Sequence, residues 1–178
     1  MKPINKLYLK TFLFLGISYA LTMSAIDLFL GIDFNLWKFL FSIFFFGFFM
    51  SALLVTQHKN RLYEIGIHEI TEDNIRTNQK RTIKSQLNIN EILAKLKADF
   101  HIGGMKMRVT GNEILLKTSY SMYSFGENIK ILQNVNANTA EEFEYLISSS
   151  PKFKGTLVDY GINIENINKV ELAIKNDA

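Results

Sequence analysis

Apolar residues dominate the first third of the chain and then thin into short alternating stretches. One nearly unbroken apolar run covers residues 11–26 and resumes past Asp27 through Leu28-Phe29-Leu30. A second covers 36–56 and holds seven Phe between Phe39 and Phe49. A helix needs roughly 20 apolar residues to cross a hydrocarbon core about 30 Å thick. Both runs reach that length, which predicts a transmembrane hairpin with spans at 9–30 and 36–56. Downstream, residues 57–70 can prolong the second helix, weakened by Gly66, and 71–78 read as a polar loop, so 57–79 form a juxtamembrane linker.

From residue 80 onward the periods are those of a folded domain. Residues 80–87 read as a strand. Asn88 followed by Glu91 gives a variant of the capping box, and Ile89, Ile92, Leu93, Leu96 and Phe100 share one face of a helix over 89–99. Gly103-Gly104 breaks the chain. Alternation then predicts strands at 105–110, 113–124, 129–135 and 142–149, the last ended by Pro151, with turns at Gly111-Asn112 and 126–128 and a polar loop at 134–140. Ile164, Ile167, Val170 and Ile174 predict a final helix over 163–175. The fold class is therefore α+β: the transmembrane hairpin, then a small domain at 80–178 with an antiparallel sheet and two helices on one face.

The composition of the second span favours insertion. Twelve of its residues between Phe39 and Val55 are Phe, Leu, Ile or Val. They sum to roughly −4 to −7 kcal/mol on an insertion scale, an upper bound because end positions count for less. Trp37 and Lys38 suit the interface. Residues 1–25 also have the order of a signal peptide, but the apolar run continues past the poor cleavage site at 22–25.

Charge sets an orientation. Lys2, Lys6 and Lys10 precede the first span, and Lys59, Arg61, Arg76, Lys80, Arg81 and Lys84 follow the second. The connecting turn has Lys38 against Asp27 and Asp33. The positive-inside rule places both termini and the domain in the cytoplasm, at an inner membrane. The absence of cysteine agrees with a reducing compartment. Residues 57–178 carry sixteen Lys and Arg against fifteen Asp and Glu. The domain is thus nearly neutral, and without a basic stripe interleaved with aromatics no nucleic-acid partner is expected. Lys80, Arg81 and Lys84 suit either anionic headgroups or a solvated strand face.

Small residues recur at Gly16, Ala20 and Ser24, and at Gly47 and Ser51. This spacing lets helices approach closely in lipid, either within the hairpin or as a face for a homo-oligomer or membrane-protein partner. Neither span buries an ionisable residue at depth, which argues against a transporter or pore.

Chemistry-bearing motifs are few. No Cys nucleophile, phosphate-binding loop or nucleophile elbow is present, and His58, His68 and His101 are scattered, so no catalytic residue, metal or cofactor is expected. Two segments are dense in polar and aromatic residues: 118–127 with Tyr120, Met122, Tyr123, Phe125 and Glu127, and 148–163 with Ser148–Ser150, Asp159, Gly161 and Asn163. Asp159 or Asn163 can cap the last helix and Gly161 can supply a positive φ. The same segments can instead form one ligand or partner groove from Tyr120, Tyr123, Phe125, Glu127, Asp159 and Asn163.

Ser124-Phe125-Gly126-Glu127, the Ser148–Ser150 strand and the Asp159, Gly161, Asn163 helix start resemble small α+β domains of uncharacterised, often membrane-anchored bacterial proteins. That resemblance spans about residues 80–175 and implies a fold but no activity. A fainter similarity is to bacterial pleckstrin-homology-like domains, with residues 69–75 as their opening strand. The helix at 89–99 does not suit that fold. The expected role is a non-enzymatic interaction or accessory module at the membrane face. A binding domain for a lipid or small apolar ligand is the alternative, and a membrane-anchored hydrolase a more distant one. A cavity lined by Tyr120, Tyr123 and Phe143 would mark ligand binding, and a filled core with an exposed apolar patch a protein partner. A polar cleft with perturbed titratable groups would mark an enzyme.

Overall fold

Pro3 supplies a φ already suited to a first helical turn. In a computed structural model it opens α1 (Pro3–Phe29), which is followed by α2 (Leu36–Glu64). The structure describes residues 1–121, 123–134 and 142–175. The chain divides into two compact units, Met1–Ile75 and Arg76–Ala178.

The first unit is the helical hairpin. The Asn35 side chain caps α2 by accepting from Lys38 N–H at 3.0 Å. Gly16 and Gly47 meet where the helices cross. A Cβ on Gly16 would lie 2.6 Å from the Ile43 carbonyl oxygen, and one on Gly47 2.7 Å from that of Phe12. Gly16, Ala20, Gly47 and Ser51 are buried and Ser24 is half-buried, so the small-residue spacing is engaged within the hairpin. Tyr19 stacks on Phe46 at 4.0 Å and Tyr8 hydroxyl bonds Thr56 at 2.8 Å. Lys38 pairs with Asp27 at 2.6 Å beside the turn.

Both helices are long and apolar enough to cross a membrane. Their most apolar windows have mean hydropathy 1.7 and 2.3, and only 11% and 17% of those windows are buried. Phe41, Phe44, Phe45, Phe48 and Phe49 all face outward.

Residues 57–64 of the expected linker continue α2, which stops two residues short of Gly66. Ile67 N–H bonds Leu62 carbonyl at 2.9 Å and Gly66 N–H bonds Tyr63 carbonyl at 3.0 Å, a Schellman ending that needs the positive φ of Gly66. The predicted continuation to 70 therefore fails at the glycine. Residues 69–75 form turns rather than a strand, tied by Asn74 Oδ1, which accepts from Thr71 N–H at 2.8 Å.

The second unit is α+β. Its elements are β1 (Gln79–Ser85), α3 (Ile89–Ala98), β2 (Lys106–Thr110), β3 (Glu113–Lys117), β4 (Glu127–Gln133), β5 (Phe143–Pro151) and α4 (Ile162–Lys175). The strands form one antiparallel sheet in the order β1-β5-β4-β3-β2. Alternation sorts the strand residues. Ile83, Ile114, Leu116, Ile129, Ile131, Tyr145 and Ile147 face one way and pack with Ile92 and Leu96 of α3 and Ile167, Val170 and Ile174 of α4. The Asn88–Glu91 capping box forms as the sequence predicts. The expected polar loop at 134–140 lies outside the described residues apart from Asn134, as does Glu141.

The largest departure is β3. The sequence predicts a strand over 113–124, but β3 ends at Lys117, and 118–121 and 123–126 belong to no strand of the sheet. Hydroxyls of Thr118 and Ser124 turn back onto the Glu127 carboxylate, and that local capture outcompetes the ladder.

Candidate functional site

Two loops at one end of the sheet hold most of the sequence-predicted site residues. Residues 118–126 join β3 to β4, and residues 152–161 join β5 to α4. Register sets the ends side by side, with Glu127 opposite Pro151.

Glu127 is buried and organises the first loop. Its backbone N–H donates to Thr118 Oγ1 at 2.7 Å, and its carboxylate accepts from Thr118 Oγ1 at 2.5 Å and from Ser124 Oγ. Thr118 N–H closes the loop onto Glu127 carbonyl at 3.1 Å. Lys152 ties the second loop to the first. Its N–H donates to Gly126 carbonyl at 2.9 Å and its ammonium to Thr118 carbonyl at 2.6 Å. Glu127 is thus committed to holding the loop: it is buried, and each carboxylate oxygen accepts from a loop hydroxyl.

The aromatic residues project from this scaffold. Tyr120, Tyr123 and Phe125 are 77%, 56% and 67% exposed, and Phe153 of the second loop is 58% exposed. Phe125 meets Phe153 edge-to-face at 6.0 Å, Tyr123 leans on Tyr160 at 5.7 Å, and Lys152 lies 5.6 Å over the Tyr120 ring. They make a raised patch rather than a lined groove. Phe143 is not part of it: it lies at the other end of β5 from Pro151, eight residues or about 27 Å away. Tyr120, Tyr123 and Phe143 therefore do not line a common cavity. Met122 lies outside the described residues.

Asp159 and Asn163 form a separate buried network below Tyr160. The Asp159 carboxylate accepts from Gly161 N–H at 3.1 Å, Asn163 N–H at 3.3 Å and Asn163 Nδ2 at 2.9 Å. This satisfies amides at the start of α4, where a negative charge also meets the helix dipole. Burial nevertheless pushes the Asp159 carboxyl above the usual aspartate range, against the lowering effect of these hydrogen bonds.

Asn163, within the first turn of α4 and fully buried, does not cap. Its Nδ2 also donates to Thr77 carbonyl at 2.8 Å, and its Oδ1 accepts from Ser149 Oγ at 2.6 Å. It links β5, α4 and the segment before β1. Gly161 takes the positive φ that the sequence predicts, 73°, and Tyr160 shares it at 55°, a conformation costly for an aromatic residue. Burial raises the Tyr160 hydroxyl, with Tyr123 adding to the shift.

The structure thus splits the predicted groove in two. Tyr120, Tyr123 and Phe125 form an outer aromatic patch, and Asp159 and Asn163 an inner structural network. Glu127 belongs to the loop clamp. Sequence reasoning missed Lys152, Phe153 and Tyr160 as patch residues, since only tertiary register brings the two loops together. The role of Ser149 was within reach, because strand alternation places it on the buried face with Tyr145 and Ile147. Comparison of the chain with protein families, curated proteins and solved structures finds no match.

Proposed function

We propose that this chain is an inner-membrane protein anchored by α1 and α2, with both termini in the cytoplasm, whose α+β domain acts by binding a protein partner rather than by catalysis. The observation that carries this reading is the exposed aromatic patch of Tyr120, Tyr123, Phe125 and Phe153 on loops fixed by Glu127 and Lys152. Large rigid aromatics present apolar area at little cost in ordering, the property of interface anchors. The core beneath is filled by side chains with no measurable exposure, among them Ile114, Ile129, Ile131 and Ile147. A filled core under an exposed patch fits a protein partner better than an enclosed apolar ligand. The Lys38–Asp27 pair supports the orientation, because it neutralises the basic residue nearest the turn while Lys2, Lys6 and Lys10 remain on the opposite side.

The test is cross-linking in cells followed by purification of the intact chain in mild detergent, with Tyr120→Ser/Phe125→Ser compared with the unaltered protein. The proposal expects a defined cross-linked species that the double variant loses at unchanged thermal stability. Equal recovery from both proteins, or loss only in proportion to unfolded protein, would count against the patch as the contact surface.

A further inference from the structure

The domain is nearly neutral along the sequence, but the strands sort its charge by face. Opposite the core, β1 presents Lys80, Thr82 and Lys84, and β5 presents Glu144, Leu146, Ser148 and Ser150. β4 adds Asn128, Lys130 and Leu132, β3 adds Glu113, Leu115 and Lys117, and β2 adds Lys106, Arg108 and Thr110. Six basic residues thus share a face with two acidic ones. Lys130 pairs with Glu113, and Lys84 with Glu142. Among the described residues, no carboxylate pairs with Lys80, Lys106, Arg108 or Lys117, and all four are exposed.

Both α3 and α4 pack on the opposite face. Lys80, Ser148, Lys130, Leu115 and Arg108 lie in one row across all five strands, about 19 Å from edge to edge. The next row sets Ser150 and Asn128 beside Lys117 and Lys106, so hydroxyl and amide donors stand among the cations. Arg81 is absent from this face. It turns to the core side, where its guanidinium binds Asn168 at 2.9 Å and Glu171 at 2.5 Å.

We propose that this open sheet face docks onto the anionic headgroups of the bilayer in which the chain is anchored. The inference rests on the membrane anchoring proposed above. Charge complementarity selects the occupant: four unpaired cations spread over a broad surface match a sheet of phosphates, and each basic residue near an anionic leaflet adds to the attraction. The face carries no aromatic side chain, so it lacks the stacking platform by which sheets hold single-stranded nucleic acid. Fourteen residues separate the end of α2 from β1, a tether that keeps the domain near the bilayer whatever it binds.

The experiment uses the full chain, reconstituted into vesicles of phosphatidylcholine alone or with 30% phosphatidylserine. The chain has no cysteine, so a single fluorophore can be placed at Thr82 on the open face, or at the exposed Asn90 on α3 as control. Energy transfer to acceptor-labelled lipid reports docking. The proposal expects transfer from position 82 to rise with phosphatidylserine, to exceed that from position 90, and to collapse as salt is raised to about 0.5 M. Replacing Lys80, Lys106, Arg108 and Lys117 by Gln should lower the docked-to-undocked ratio about tenfold or more. The salt titration on the unaltered chain stands even if that variant folds poorly.

Transfer independent of lipid charge and salt would overturn the proposal. So would salt-sensitive binding of RNA at this face with no response to phosphatidylserine. Failure of the chain to float with vesicles after alkaline carbonate washing would instead break the anchoring reading itself.

Discussion

Replacing Asn163 by Ala should damage the domain more than replacing Asp159, the residue that contacts the helix-start amides. Asn163→Ala removes three hydrogen bonds at a fully buried site: to Asp159 Oδ2 at 2.9 Å, Thr77 carbonyl at 2.8 Å and Ser149 Oγ at 2.6 Å. Ser149 keeps a long contact with Asn166 at 3.4 Å, but the Thr77 carbonyl loses its side-chain donor. Each buried partner left unsatisfied costs about 1–3 kcal/mol, so a loss of about 3 kcal/mol is expected. For a domain near 100 residues that corresponds to about 12–24 °C in Tm. Asp159→Ala strips the acceptor from Gly161 N–H and Asn163 N–H, a capping loss of about 1 kcal/mol. It also removes a carboxylate whose burial is unfavourable. The two substitutions share a bond, so the double variant should be less destabilised than the sum.

Pulse proteolysis of the intact chain in mild detergent, across a urea series, measures the folded fraction of the domain. A cost for Asn163→Ala no greater than for Asp159→Ala would refute the assignment of Asn163 as the hub. Unchanged stability of both variants with lost partner recovery would show instead that the pair is a binding site.

Gly47→Val should separate or displace α1 and α2, because the added atoms meet the Phe12 backbone at 2.7 Å; disulfide cross-linking between cysteines at Tyr8 and Thr56 should fall sharply, and undiminished cross-linking would contradict the packing. Glu171 is held below the ordinary glutamate range by Lys175 and then Arg81, so its contribution is present above that range and lost as pH falls through the lowered value. Urea midpoints of Glu171→Gln should therefore match the unaltered chain at low pH and fall behind it near neutrality. Asp159 has the opposite sign: its raised value makes the native state bind more protons, so its part of stability declines as pH rises out of the ordinary aspartate range. Asn88→Ala should cost about 1 kcal/mol through the capping box, read by the same proteolysis assay.

Local rules that act within a few residues were legible in the sequence. The Asn88–Glu91 box, the positive φ of Gly161 and the alternation of β4 and β5 each depend on neighbours in the chain, whereas the sequence carries α2 on to residue 70 and the structure ends it at Glu64, before Gly66. The sequence predicts a strand over 113–124 because alternation of hydroxyl and aromatic residues mimics a half-buried strand, whereas β3 ends at Lys117. Ser124 lies three residues from Glu127 and Thr118 nine, and the alternation pattern does not register that both hydroxyls bond the Glu127 carboxylate. The sequence leaves the candidate residues open between turns and caps and one shared groove, because they share polar and aromatic character. Register separates them, sending Tyr120, Tyr123 and Phe125 outward and Asn163 into the core. The basic sheet face was hidden by net charge, which counts residues without regard to the side of the strand they occupy.

The claim that a cytoplasmic domain is anchored by two membrane spans is tested most directly by topology. The proposed topology puts Asp33, in the turn between α1 and α2, and Asn112, in the exposed turn between β2 and β3, on opposite sides of the bilayer, so single cysteines at these positions test it. With an impermeant maleimide on intact spheroplasts, the account predicts labelling at position 33, and labelling at position 112 only after lysis. Labelling of position 112 but not 33 in intact spheroplasts, or release of the chain by alkaline carbonate, would contradict it.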